Sequence, residues 1–546
     1  MLTAVVIALS ALIQLVVAFQ PLSFLVANVL PDDAFYYFEI ARNIVAGHGS
    51  SFDGVNLTNG YHPLWMILNL PAFAWFDGHL PPIQFLLLVS IGLNILMAVW
   101  LSKIFSRFVE SKPIKNLLLA VYLFNPFVLF ETLNGLETAL SLSLITLFIW
   151  WWLKVSDRPT TKNFVLAGLI GGLMMLARLD NIFFFVAFIL WVIFAQLGDR
   201  LLPVITGQSR SVAEFRSIWR SNLQVVIVSA LAAAVVISPW VIWNWLTFGM
   251  VSTSAANTAS LVVHGLVAQD NGEGIFVFLK TIVYMLELNW QTVLSMTSAS
   301  GLWLLALGAW LYWWWQSGFK ISRQILISPL AFVTLGWFSM FLANAGFRWV
   351  GRGWYFVGFN LLVVILLSWF WHCAKGSDCL LPDDSSRYPK LFPVIKGKSQ
   401  FLVSGLLVLL LVFSYALDLK REILNRYQPQ LAMIEAAEWG NANLPEGSVI
   451  GVFNAGVQGY LSEHRVVNLD GLVNNAAARA IAESELWSYA LGEVGYFSDF
   501  PIYLDYRYRS FLGTTNPYQD LELLATVGTA TVIYGQTDGL RIFKVK

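Results

Sequence analysis

The chain has 546 residues, 57% of them hydrophobic and only 12% charged, where soluble domains carry about 25% charged residues. Apolar runs of about 20 residues recur along it, which excludes a soluble globule and points to an α-helical polytopic membrane protein. Lys and Arg balance Asp and Glu at 33 each, so no bulk charge draws the chain to nucleic acid.

Eleven spans are predicted, at residues 2–29, 83–105, 116–131, 138–154, 163–178, 181–198, 223–246, 297–317, 325–345, 354–372 and 401–418. The first lacks a basic lead and a small-residue cleavage site, so it is expected to be a retained span and not a signal peptide.

The connection that follows, residues 30–82, holds the most informative stretch, PDDAFYYFEIARNIVAGHGSSFDGVNLTNGYHPLW at 31–65. It is too polar to cross a bilayer. Asp33, Tyr37, Ile40 and Ile44 share one face at helical spacing. Asp32 or Asp33 suits the N-terminus of that helix, where negative charge is favoured, and Gly47 can end it. Asp53-Gly54 and Asn59-Gly60 are turn signals, and His62-Pro63 is a rigid exit. The stretch reads as an ordered segment on the membrane surface, presenting acids at one edge.

Orientation follows from the basic residues. One set of connections carries the clusters at 103–115, 154–162, 200–220, 320–323 and 375–398; the other set carries only Arg42, Arg178, Lys280, Arg348 and Arg352. The positive-inside rule puts the first set, and the N-terminus, in the cytoplasm. The interfacial tryptophans Trp150–Trp152, Trp313–Trp315, Trp369 and Trp371 fall at the same ends. Cys373 and Cys379 then lie in one cytoplasmic loop, reduced; one such pair alone does not make a four-ligand zinc site.

An odd number of spans places the tail, residues 419–546, outside. A helical lead-in at 431–441, strand-like runs at 448–453 and 465–469, and a final pair at 530–534 and 540–545 bracketing a glycine-containing turn describe a small α/β domain. The chain therefore divides into a membrane domain, 1–418, and an extracytoplasmic domain, 419–546.

The outer connections share one property. Isolated charges stand beside apolar spans, where charge is costly and usually functional. The acids are Asp32, Asp33, Glu39, Asp53, Glu131, Glu137 and Asp180; the bases are Arg42, Arg178, Arg348 and Arg352, with His48 and His62 beside them. Carboxylates can act as general bases, and arginines can hold phosphate through charge-assisted hydrogen bonds. Simpler readings compete. The Asp pair can be only a helix cap, Glu39–Arg42 a surface pair, Arg178–Asp180 a span end, Arg348 and Arg352 interfacial anchors, and the histidines structural. No glycine-rich phosphate loop, HExxH or Ser-His-Asp set is present.

The acidic pair just after the first span, with DDAFYYFEIARNIVAGHG followed by NGYHPLW, resembles the first-loop motif of the GT-C membrane glycosyltransferases, bacterial members related to the mycobacterial terminal arabinofuranosyltransferase above all. The lipid A aminoarabinose transferases and protein O-mannosyltransferases carry Asp-Glu at the corresponding place. Asn134-Gly135-Leu136-Glu137 is similar to the family's Gly-x-Glu segment, and Arg178-Leu179-Asp180 to its Arg-Pro-Asp. Ser238-Pro239-Trp240 with Asn244 and Phe248-Gly249 resembles its Pro-Trp, Arg-Asn and Phe-Gly run, with Trp243 in place of the arginine. In the tail, the segment from Val467 to Leu472 is similar to a Val-Asp-x-x-Gly-Leu stretch.

The resemblance implies a bundle of transmembrane helices with amphipathic helices on the outer surface of a bacterial plasma membrane. It implies transfer of a sugar from a polyprenyl-phosphate donor, with inversion, to a glycan, lipid or protein acceptor outside the cytoplasm. The first-loop Asp is the expected base, Asp32 with Asp33 in support, or the reverse. Arg178, Arg348 and Arg352 are candidates for the donor phosphate. Tyr61, His62, Glu137, Asp180 and Asn244 are candidates for substrate contacts. No cofactor or metal is expected. A transporter of lipid-linked sugars and a non-catalytic scaffold of polysaccharide assembly are the alternatives; repeat halves around midplane charges, the mark of many transporters, are not legible here.

Overall fold

The computed structural model describes residues 1–156, 159–205, 212–271, 274–298, 329–349, 351–374, 412–533 and 536–546. Among them, Leu80–Phe108, Thr138–Val155, Leu223–Phe248 and Gly353–His372 are long and apolar enough to cross a membrane. Shorter apolar helices, including Thr161–Ala177, Asn181–Phe194 and Leu330–Gly346, pack among them. Most of the expected spans 297–317 and 401–418 lies outside the described residues.

Two expected spans are broken, each at a proline. The run 2–29 is two helices, Leu2–Ala18 and Leu22–Asn28, bent by 112°. Pro21 stands at the break, where it cannot donate a backbone hydrogen bond and a helix cannot run through undisturbed. The run 116–131 is Lys112–Leu123 followed by Pro126–Glu131. There the Asn125 side chain caps the second helix by accepting from the Phe127 and Val128 amides. The connection 247–290, expected as a loop, contains the helix Ser254–Asn271 and most of Ile275–Ser298.

The interior of the helical part is aromatic. Phe188 stands edge-on to Phe148 and Trp152, with ring centroids 4.9 and 4.7 Å away, and 5.3 Å from Phe332. Such pairs add about 0.5–1.5 kcal/mol each beyond their burial.

The C-terminal domain starts with the helix Gln430–Asn443 and builds one five-stranded sheet. Its strands are β1 (Val449–Val452), β2 (Arg465–Asn468), β3 (Tyr496–Asp499), β4 (Leu521–Ile533) and β5 (Gln536–Val545), in the order β2-β1-β3-β5-β4. β1 pairs in parallel with β2 and β3, while β5 runs antiparallel to β3 and β4. The expected strands at 448–453 and 465–469 and the terminal hairpin are present; β3 was not foreseen. The short helix Gly456–Leu461 crosses from β1 to β2.

This domain seats its parallel-strand ends on the first-loop helix, Asp32–Val45. Tyr460 packs on Phe35 and Phe38, lies under the Arg42 guanidinium at 4.2 Å, and donates its hydroxyl to the His79 carbonyl at 2.7 Å. Asp53 pairs with Arg465 at 2.9 Å. Asn59, fully buried, accepts from the Ser254 amide and the Asn475 side chain. One continuous core runs from the membrane helices into the sheet.

Candidate active site

Pro31, in extended conformation, starts the first-loop helix and offers it no side-chain cap. The two acids that follow turn to different neighbours, as adjacent helical residues must, about 100° apart.

Asp32 faces the C-terminal domain. Its Oδ1 accepts from the Val457 amide at 2.7 Å and its Oδ2 from the Gly456 amide at 3.0 Å. These amides open the helix Gly456–Leu461, so Asp32 caps a helix of the other domain and not its own. The backbone N–H of Asp32 donates to Gln430 Oε1 at 2.8 Å. Burial pushes the Asp32 carboxyl up to about 7 against the two amide bonds, and Asp33 and Asp470 add to the rise.

Asp33 faces the other way and is partly exposed. Among the described residues its carboxylate accepts no hydrogen bond and sits in no ion pair within contact distance. Burial raises its pKa; the Arg352 and Arg507 guanidinium groups pull it back down, and Glu137 opposes them. Arg352 comes from the start of the helix Gly353–Phe356 with its side chain exposed, and Arg507 from the C-terminal domain. Arg507 borders Tyr503 and Tyr508, whose rings stack on Phe453.

Beyond Asp33 lies a second charged group. Glu137 accepts the Tyr37 hydroxyl at 3.0 Å and lies 3.8 Å from Arg178 Nε and 3.6 Å from His62 Nε2. The Leu179 amide donates to His62 Nδ1, so the ring proton of neutral His62 is on Nε2, facing Glu137. Burial holds His62 below its usual pKa despite Glu137 and Asp180. Arg178 is buried. Its Nε is 3.0 Å from Asp180, its Nη1 donates to the Trp354 carbonyl at 2.6 Å, and its guanidinium lies 4.3 Å over the Tyr355 ring.

The expected site residues thus separate. Asp33, Arg352 and Glu137 come together, with His62, Arg178 and Asp180 directly behind. Arg348 is not among the charges acting on Asp33; its guanidinium lies 5.3 Å over Phe278, on a residue with φ of 59°. Tyr61 bonds Ser50 at 2.8 Å and its ring approaches Tyr37 and Trp240. Asn244, fully buried, accepts from Asn59 at 3.2 Å and ties its helix to the first loop.

Residues of the neighbourhood that were not among the expected site residues are Tyr36, Tyr37, Gln430, Asp470, Asp499 and Arg507. The Tyr36 hydroxyl donates to Asp470 Oδ2 at 2.9 Å, and Asp499 accepts from the Phe453 and Asn454 amides. Burial lifts Asp470 to about 7 and Asp499 to about 8. Asp470 lies in the segment from Val467 to Leu472 noted in the sequence; nothing marked Arg507. Among the described residues no three His, Cys, Asp or Glu side chains are arranged to hold a metal ion.

Residues 421–516 match a family model described as a domain of unknown function (DUF8728). No curated protein matches the chain. The chain is similar over its length to ArnT from Cupriavidus metallidurans bound to undecaprenyl phosphate, with a TM-score of 0.54 at 12% identity, covering 98% of this chain and 97% of that one. The same protein in the apo state gives 0.52 at 12% identity, with the same coverage. At that identity the likeness is one of architecture: from its first helix to its C-terminal sheet, the chain has the fold of ArnT.

Proposed function

We propose that this protein is a membrane glycosyltransferase that moves a sugar from a polyprenyl-phosphate donor to an acceptor hydroxyl on the outer face of the membrane, with Asp33 as general base. The carrying observation is Asp33 itself. It is the acid of the cluster with neither hydrogen bond nor close ion pair among the described residues, and it stands before Arg352 and Arg507. The fold supports the donor class, since a protein of this architecture binds undecaprenyl phosphate.

The chemistry follows from charge. Asp33 takes the proton of the acceptor hydroxyl as its oxygen bonds to the anomeric carbon. The bond from that carbon to the phosphate oxygen breaks with its electron pair, and the sugar inverts. The departing lipid phosphate gains one negative charge, which Arg352 and Arg507 offset. Arg178, already committed to Asp180, Glu137 and a carbonyl, holds the wall of the site in place of the phosphate. Asp32 serves the junction with the C-terminal domain and not the proton transfer, which settles on the second acid of the pair.

The basic connections support a cytoplasmic N-terminus and an outer C-terminal domain. Cysteines at Val55 and Glu446, both exposed, are then expected to react with an impermeant thiol reagent in spheroplasts, and one at Glu110 to be spared. The decisive assay is sugar release from a panel of synthetic polyprenyl-phosphate sugars by the purified protein. Transfer by the natural chain and none by Asp33→Asn, with donor still bound, is the expected result. An active Asp33→Asn overturns the assignment.

A further inference from the structure

In open α/β sheets, the turn that leaves the first parallel strand and opens on a helix N-terminus is where such domains hold anionic ligands. In the C-terminal domain that turn is occupied from within the chain. The Asp32 carboxylate accepts from both buried amides of that turn, Gly456 and Val457. Gly456 permits this approach because it has no side chain; a Cβ there would overlap the Asp32 carbonyl oxygen.

The grip has three further points. Gln430 donates to the Val26 and Leu30 carbonyls at 2.8 Å each while accepting from the Asp32 amide, so one side chain joins two helix ends. Tyr36, one turn along from Asp32, bonds Asp470. Asn425 and Tyr427 bond the end of the helix Leu22–Asn28 through the Asn28 side chain and the Ala27 carbonyl. The first turn of the first-loop helix is thus held by another domain on the face next to Asp33.

We propose that Asp32 is a positioning residue: through its bonds to the Gly456 and Val457 amides, the C-terminal domain sets the rotation of the helix Asp32–Val45 and hence the aim of Asp33. This rests on Asp33 being the base. The lever is short. With side chains about 5–6 Å from the helix axis, a rotation of roughly 10° moves the Asp33 carboxylate about 1 Å, and a misplacement of that size can cost about 10²-fold in rate.

The experiment breaks the contact from each side and measures kcat and donor KM separately. Asp32→Asn replaces one acceptor by a donor that opposes an amide. Gly456→Ala pushes the domain off while removing no carboxylate. Each is expected to lower kcat about 10²-fold with donor KM unchanged, and the double variant to be no worse than the poorer single, because both remove one contact. Natural kcat in Gly456→Ala beside a dead Asp32→Asn overturns the proposal, since Asp32 then acts chemically. A rise in donor KM with kcat kept also overturns it, since the contact then shapes the donor site and not the aim of Asp33. If either chain fails to fold, Tyr36→Phe, which deletes one hydroxyl of the same grip, takes its place: a lowered kcat at constant KM supports positioning, and an unchanged kcat overturns it. Asp33→Asn runs in parallel. Its activity, if retained, defeats the functional reading itself, whatever the other variants do.

Discussion

Two charged groups stand side by side in this protein and differ in how completely they are spent. Around Arg178, opposite charges are in contact: Asp180 and Glu137 lie beside the guanidinium, the Trp354 carbonyl accepts from Nη1, the Tyr355 ring lies under it, and Tyr37 and His62 close on Glu137. Around Asp33, the carboxylate accepts no hydrogen bond among the described residues, and Arg352 and Arg507 act on it from beyond contact distance. The first group is closed by ion pairs at contact distance, and in the second the Asp33 carboxylate is open to a ligand. Proximity to a membrane selects charged residues for both jobs, so charge alone does not separate them; pairing of the carboxylate at contact distance does.

The difference can be broken from either side. Asp33→Asn, isosteric and outside any hydrogen bond, is expected to cost about 10²–10⁴-fold in kcat, the usual contribution of a general base, with thermal stability held; steady-state transfer and a melting curve decide it. Arg178→Met reverses the pattern. It leaves Glu137 and Asp180 without their cation, and breaking a buried pair costs about 3–5 kcal/mol of stability, read as a loss of thermal midpoint in detergent. A stable but inactive Arg178→Met would move Arg178 into the reacting group and erase the contrast.

Smaller effects sharpen it. Arg352→Ala removes a charged partner worth about 1.5–3 kcal/mol, so donor-lipid affinity is expected to fall at least tenfold with the fold intact. Arg348→Ala, whose guanidinium lies on Phe278, is expected to change that affinity least, and a larger loss there than at Arg352 would exchange their roles.

The gentlest test is pH. Asp32, Asp470 and Asp499 are lifted from a free value of 3.8 to about 7, 7 and 8. Protons held by the folded chain but not by the unfolded one stabilise fully below about 4, and that stability is lost as pH rises through 7 to 8. The thermal midpoint is therefore expected to be higher at pH 5 than at pH 8. A midpoint that rises with pH would mean that these acids are ionised in the folded protein.

Much of this was legible in the sequence, unevenly. The face formed by Asp33, Tyr37, Ile40 and Ile44 follows from spacing alone, and the helix Asp32–Val45 realises it. The terminal hairpin declared itself through β-branched residues flanking a turn. β3 did not, because four residues, YFSD, carry too little periodicity, and its place at the centre of the sheet comes from tertiary pairing. The division of labour between Asp32 and Asp33 was equally hidden. Their local sequence is the same, and only the arrival of Gly456 and Val457, more than 400 residues away, distinguishes them. Arg507 lies in a YRYR run that gives no sign of facing the first loop.

The bonds from Asp32 to Gln430 and from Tyr36 to Asp470 span 398 and 434 residues. Contacts of such separation close late in folding, since the entropy of a long loop must be spent before they form. During synthesis, then, the membrane helices can insert while the first-loop acids still lack their support. On the function proposed above, the chain is born silent: Asp33 lacks its support until the last quarter of the chain has been translated and has folded onto the first loop. Ribosome-arrested chains of increasing length would display this timing, with the first loop open to protease until the segment around Asp470 has emerged and closed upon it.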